Sequence, residues 1–118
     1  MHGSPLIDRS VLDELLEDGG LEHGIVTIFV TTTHSRLREL AEAADRGDAE
    51  RIARVAHSLK GACATFGALR LATAASRLSG PTGGDLVLRA RTLQGPLAEM
   101  LAATELALAS ATADFAHR

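Results

Sequence analysis

The sequence predicts an all-α fold, an antiparallel up-down four-helix bundle with a short N-terminal capping helix. Three observations carry that expectation. Alanine and leucine, which head the helix-propensity scale, dominate a chain that is 46% hydrophobic and only 3% aromatic. Apolar residues recur at i, i+3, i+4 and i+7, and nowhere alternate long enough to make an amphipathic strand. Glycine, aspartate and proline cluster in short stretches between the periodic ones, and short connections favour antiparallel neighbours. At 118 residues the chain is most simply one domain, expected over 6–118 behind a flexible leader at 1–5.

Each element has its own signals. Asp8 is placed to cap a first helix striped by Val11, Leu12, Leu15 and Leu16, and Gly19-Gly20 ends it. A second helix is expected from Leu21 or Glu22 to Arg46, with Val26, Phe29, Thr33, Leu37, Leu40 and Ala44 inward. Its residues 25–33 are β-branched and favour strand on propensity alone. Helix is assigned because 36–44 has a strong helical period and no turn separates the two parts. Arg46-Gly47-Asp48 joins a C-cap glycine to an N-cap aspartate, so a central helix runs from Ala49 to about Phe66 and Gly67 closes it. Ala68 to Ser79 reads as the next helix, with Leu71, Ala75 and Leu78 inward, and the glycine-rich 80–84 as a loop. Asp85 then caps a last long helix that turns Leu86, Ala90, Leu93, Leu97, Met100, Leu101, Thr104 and Leu108 inward. Gly95-Pro96 should kink or briefly break it, since proline cannot donate its backbone bond.

Composition also excludes functions. A net charge of −3 with no basic run gives nucleic-acid binding little electrostatic support. There is no signal peptide and no long apolar run, so no membrane association is expected, and a lone cysteine suits the cytoplasm. Cys63 lies on an apolar helix face, where a small buried thiol is the ordinary reading. His2, His23, His34 and His117 are scattered without metal-ligand spacing, so the chain is expected to bind no metal and no cofactor.

The chemistry concentrates in 52–67. At about 100° per residue, Ile52, Val55, Ala56, Leu59, Ala62, Cys63 and Phe66 fall on one side of a helix. His57, Lys60, Gly61 and Ala64 fall together on the other, which puts the imidazole in water. Lys60 at i+3 can reach over the ring or over anything attached to it. Gly61 at i+4 sits mid-helix, where glycine costs about 1 kcal/mol relative to alanine. Removing a Cβ one turn above His57 leaves room for a bulky group, and Ala53 and Ala64 keep the flanking turns low. Access, clearance and a cation are what a phosphoryl group on a ring nitrogen requires. An exposed helical histidine by itself is usually only a surface residue; the combination with Lys60, Gly61 and the Phe66-Gly67 closure points to a nucleophile.

Ala56-His57-Ser58-Leu59-Lys60-Gly61, with Ala62-Cys63-Ala64-Thr65-Phe66-Gly67-Ala68 and Leu71 following, resembles the histidine-containing phosphotransfer (HPt) domain. That family's signature is a His-x-Leu-Lys-Gly core with a second glycine six residues after the first, here Gly67. The resemblance covers about residues 6 to 112 and implies a helical bundle that relays phosphoryl groups between receiver-domain aspartates. It implies Nε2 of His57 as phospho-acceptor, Lys60 for charge balance and Gly61 for clearance. It further implies a receiver domain of a response regulator or hybrid kinase as partner, with Mg²⁺ on that partner. The chain would be a monomeric phosphocarrier without autokinase activity, since no phosphate-cradling glycine loop is present. Neutral imidazole suits the role, because histidine's ordinary pKa of about 6.5 leaves it nucleophilic near neutral pH.

The chain departs from the family at Ser79, which follows Leu78 where many members have Glu or Gln. Ser79, with Ser76 one turn earlier, is a weaker candidate for contacting the phosphoryl group. Arg54, one turn before His57, is either solvated or a handle for an acidic partner. Exposed apolar residues of the first helix and the start of the second are expected to join Arg54, Ala53, Lys60 and Ala64 in docking. Two other readings fit part of the pattern: the phospho-accepting domain of a chemotaxis-type histidine kinase, because Ala64-Thr65-Phe66-Gly67 also resembles that subgroup, and a helical interaction module without phosphotransfer.

Overall fold

The computed structural model describes residues 5–79 and 85–118, so residues 1–4 of the expected leader 1–5 and the loop at 80–84 lie outside the described residues. Every regular element among them is helical. They are α1 (Arg9–Leu15), a wider turn over Leu16–Gly20, the single turn α2 (Leu21–His23), α3 (Ile25–Asp45), α4 (Ala49–Thr65), α5 (Leu69–Ser76) and α6 (Leu86–Ala116). None is long and apolar enough to cross a membrane.

The caps follow the sequence. Asp8 accepts from the amides of Ser10 at 3.1 Å and Val11 at 3.4 Å, and Asp48 from Arg51 at 3.1 Å. The Ser10 hydroxyl (first) and the Val11 amide hold the Asp8 carboxyl below its ordinary 3.8. A carboxylate whose pKa is depressed by folding contributes stability above its unfolded pKa and loses it as pH falls through the folded one. The gap in melting temperature between wild type and Asp8→Ala is therefore expected at about pH 6 and should close by about pH 2. A gap that persists in acid would mean the cap does not act through the charged carboxylate.

α3 packs on α4 and α6, and α4 packs on α5. One core unites them: Leu12 and Leu16 from the N-terminal segment, Phe29 and Leu40 of α3, Ile52 and Leu59 of α4, Leu71, Leu78, and Leu97, Leu101 and Leu108 of α6. Phe29 stacks on Phe66 with ring centroids 4.5 Å apart, which ties the start of α3 to the end of α4. The β-branched 25–33 is helical because this packing outweighs propensity, and its buried Thr33 satisfies its hydroxyl on the Phe29 carbonyl at 2.7 Å. Thr104 does the same on Met100 in α6, also at 2.7 Å. Burial pushes the Cys63 thiol up to about 12.

Four expectations are corrected. The second helix begins at Ile25, not at Leu21 or Glu22, because Gly24 turns left-handed at φ +63° and ends α2 first. α5 ends at Ser76, not Ser79. Arg77, Leu78 and Ser79 donate to the carbonyls three residues back, a tightening that keeps Leu78 fully buried while leaving Ser79 off the helix. Asp85 precedes α6 without a capping hydrogen bond, its carboxylate standing 3.5 Å from the Arg89 guanidinium instead. α6 runs unbroken through Gly95-Pro96; both are exposed, as is Thr92, whose carbonyl Pro96 leaves without an amide.

Candidate functional site

α4 sorts its residues into two rows. Ile52, Ala56, Leu59 and Cys63 have no exposed surface and bind the helix to its neighbours. Arg54, His57, Lys60, Gly61 and Ala64 are exposed. The core fixes the rotation of α4, and that rotation presents His57 to solvent. On an α-helix, Arg54 and Lys60 stand one turn to either side of it, about 5–6 Å between Cβ atoms. Among the described residues, neither the imidazole nor Lys60 nor Arg54 has a hydrogen-bond or ion-pair partner. Ala53 is half-buried at the edge of the row.

Two glycines of this region differ in kind. A Cβ at Gly61 would meet nothing within 4 Å, so no neighbour in this chain requires glycine there. Its carbonyl is held by the Thr65 hydroxyl at 3.0 Å, which keeps the turn closed. Gly67 is left-handed at φ +73°, and a Cβ there would lie 2.9 Å from the Asp8 carbonyl oxygen. The Asp8 amide donates to the Gly67 carbonyl at 2.7 Å, so α1 is joined to the end of α4 through this glycine.

The structure does not bring every expected residue into the row. Ser76 donates its hydroxyl to the Thr73 carbonyl at 2.6 Å, and Ser79 donates to the Ser76 carbonyl at 3.3 Å. Both protons are thus turned back into the end of α5, away from use as donors to an external group. No large apolar residue of α1 is exposed, whereas Leu21 of α2 and Ile28 of α3 are. His34 pairs with Glu105 across α3 and α6, and His117 donates Nδ1–H to the Ala113 carbonyl, so both play local structural roles.

One feature went unread in the sequence. From 51 to 84 there are five cations, Arg51, Arg54, Lys60, Arg70 and Arg77, and no Asp or Glu. Scoring charge over the whole chain hid it; a sum over this stretch alone finds it.

The model of the Hpt domain family matches residues 24–109, which takes in α3, α4, α5 and most of α6 with the whole His57 row. The chain belongs to the histidine-containing phosphotransfer family, phosphocarriers of two-component signalling. Its structure is similar to the crystal structure of histidine-containing phosphotransfer protein B (HptB) from Pseudomonas aeruginosa PAO1. The TM-score is 0.81 at 27% sequence identity, over 95% of this chain and 98% of that one. No curated protein matches the chain. The family match begins at residue 24, so α1 and α2 lie outside it.

Proposed function

We propose that His57 accepts a phosphoryl group from the aspartyl phosphate of a receiver domain and passes it to another receiver aspartate. The observation that carries this is the exposed His57 beside an open Gly61 and a Lys60 that is unpaired among the described residues. The helices form an antiparallel up-down four-helix bundle in this reading, supported by the three-residue connection 66–68 between α4 and α5. Residues 6–118 act as one domain capped by α1.

Nε2 of the neutral imidazole attacks phosphorus in line. The N–P bond forms as the P–O bond to the aspartate breaks, and the carboxylate leaves. The chain contributes position and charge, which is most of what phosphoryl transfer asks of a protein. Lys60 balances the added negative charge, and Arg54 lies within one turn on the other side. Ala64 keeps the next turn low. Ser79 and Ser76 take no donor role, because their protons are bound to backbone carbonyls. Mg²⁺ resides on the receiver, and the chain binds no cofactor or metal. It has no autokinase activity, works in the cytoplasm, and needs one copy to complete the site.

The test is transfer from a phosphorylated, radiolabelled receiver. An acid-labile, base-stable label on the wild type is the expected result, and a label of the opposite stability overturns the phosphohistidine.

Gly61→Ala separates the two uses of that position. With open space around the added methyl, the helix should gain up to about 1 kcal/mol. The same methyl stands one turn above His57, so transfer should slow. A variant that melts higher and transfers less would show that the glycine serves the incoming group; undiminished transfer would remove its role.

A further inference from the structure

The net charge of −3 conceals a separation of charge along the chain. Residues 8–24 carry six carboxylates and a single cation, Arg9, whereas 51–84 carry five cations and no carboxylate. Since α4 and α5 pack on each other, the sequence asymmetry becomes a spatial one. Other cations find acids: Arg9 lies 3.6 Å from Asp13, Arg36 lies 3.1 Å from Glu39, and Arg51, at the start of the basic stretch, lies 3.8 Å from Glu42. Among the described residues, Arg54 and Lys60 do not. Both are exposed, and even Glu50, one turn before Arg54, makes no ion pair with it.

We propose that Arg54 and Lys60, within the acid-free stretch 51–84, form an electrostatic docking surface that selects receivers whose face around the phosphorylated aspartate is net negative. Arg54 is its specificity-determining residue. The proposal rests on His57 as acceptor and adds the charge of the partner. An unpaired exposed cation keeps its field for the solvent, and that field reaches about 8 Å at physiological ionic strength. Charge complementarity at this range raises the rate of encounter and suppresses wrong partners more than it deepens affinity. The phosphoryl group is itself an anion, so the charges that steer the partner also flank the point of arrival. Arg54 is the residue that separates the two effects: it lies outside the His57–Lys60–Gly61 turn and faces the same way.

The experiment uses the full chain and the receiver that labels it fastest among a panel of purified, phosphorylated receiver domains. Phosphoramidate, a small phosphoryl donor that needs no docking surface, labels wild-type His57 as a check on the chemistry. The kcat/KM for transfer from the receiver should fall on the order of tenfold between about 20 and about 300 mM NaCl. Arg54→Glu should lower it on the order of tenfold at low salt and flatten the salt dependence, while Arg54→Lys keeps most of the rate. Thermal melts of both variants should match wild type, because Arg54 is exposed and makes no ion pair among the described residues. Transfer indifferent to salt, or Arg54→Glu transferring like wild type, overturns the proposal. A wild type labelled by neither phosphoramidate nor any receiver overturns the acceptor reading, and the docking surface falls with it.

Discussion

Replacing His57 by glutamine is expected to abolish phosphoryl acceptance and to leave the fold untouched. The imidazole is exposed and makes no hydrogen bond or ion pair among the described residues, so its loss removes no native interaction. A surface substitution of this kind changes stability by no more than about 0.5 kcal/mol. Glutamine keeps a polar side chain of helical propensity and has no nucleophilic ring nitrogen. Labelled receiver mixed with the variant should therefore retain its phosphate, while the circular dichroism melt superimposes on that of wild type. Residual label at another residue of the variant would mean that His57 is not the acceptor. Retained receiver binding with lost label would separate docking from chemistry, and both effects should be read in one experiment.

Gly67→Ala should have the largest effect on stability of any substitution near the site. At φ +73° an L-residue is strained by about 1–2 kcal/mol. Its methyl would lie 2.9 Å from the Asp8 carbonyl oxygen and 3.3 Å from the Val11 Cβ. Those neighbours belong to the segment that α1 hangs from, and the Asp8 amide is bonded to Gly67 itself. Relief requires parting α1 from α4, so the total loss should be about 2–4 kcal/mol. In a domain of this size that lowers the melting temperature by on the order of 10 °C. Transfer measured well below the transition should survive, since His57 stands almost three turns away on α4. The contrast with Gly61→Ala is sharp: two glycines six residues apart should answer the same substitution with opposite signs. A neutral Gly67→Ala would show that α1 is not held to α4 through this contact.

The His57 row was legible because it depends on helical period alone. Buried Ile52, Ala56, Leu59 and Cys63 set the inner face, and the outer face follows at about 100° per residue. The caps at Asp8 and Asp48 were legible for the same reason: each is a contact between residues two or three apart. The ends of α5 and the start of α3 were not. Whether Leu78 continues a helix or closes a tighter turn depends on how deep the core draws it, and no residue nearby encodes that depth. Gly24 was visible, yet a glycine inside a periodic stretch reads equally as tolerated or as terminal until its φ is known. Ser79 was misplaced with the end of α5.

By itself, then, the sequence determined that the chain is helical, which face of the central helix turns inward, and that His57, Lys60 and Gly61 share an outer face. All of these are set by interactions within a few residues along one helix, which local pattern encodes. Only the tertiary structure decided that Gly67 is the seam between α1 and α4, that Gly61 stands in open space, that the Ser76 and Ser79 protons are taken, and that Arg54 and Lys60 are unpaired among the described residues. Each of these is a question of what comes near a residue from elsewhere in the chain. That distance is set by how the helices pack, a sum over the whole core that no single stretch contains.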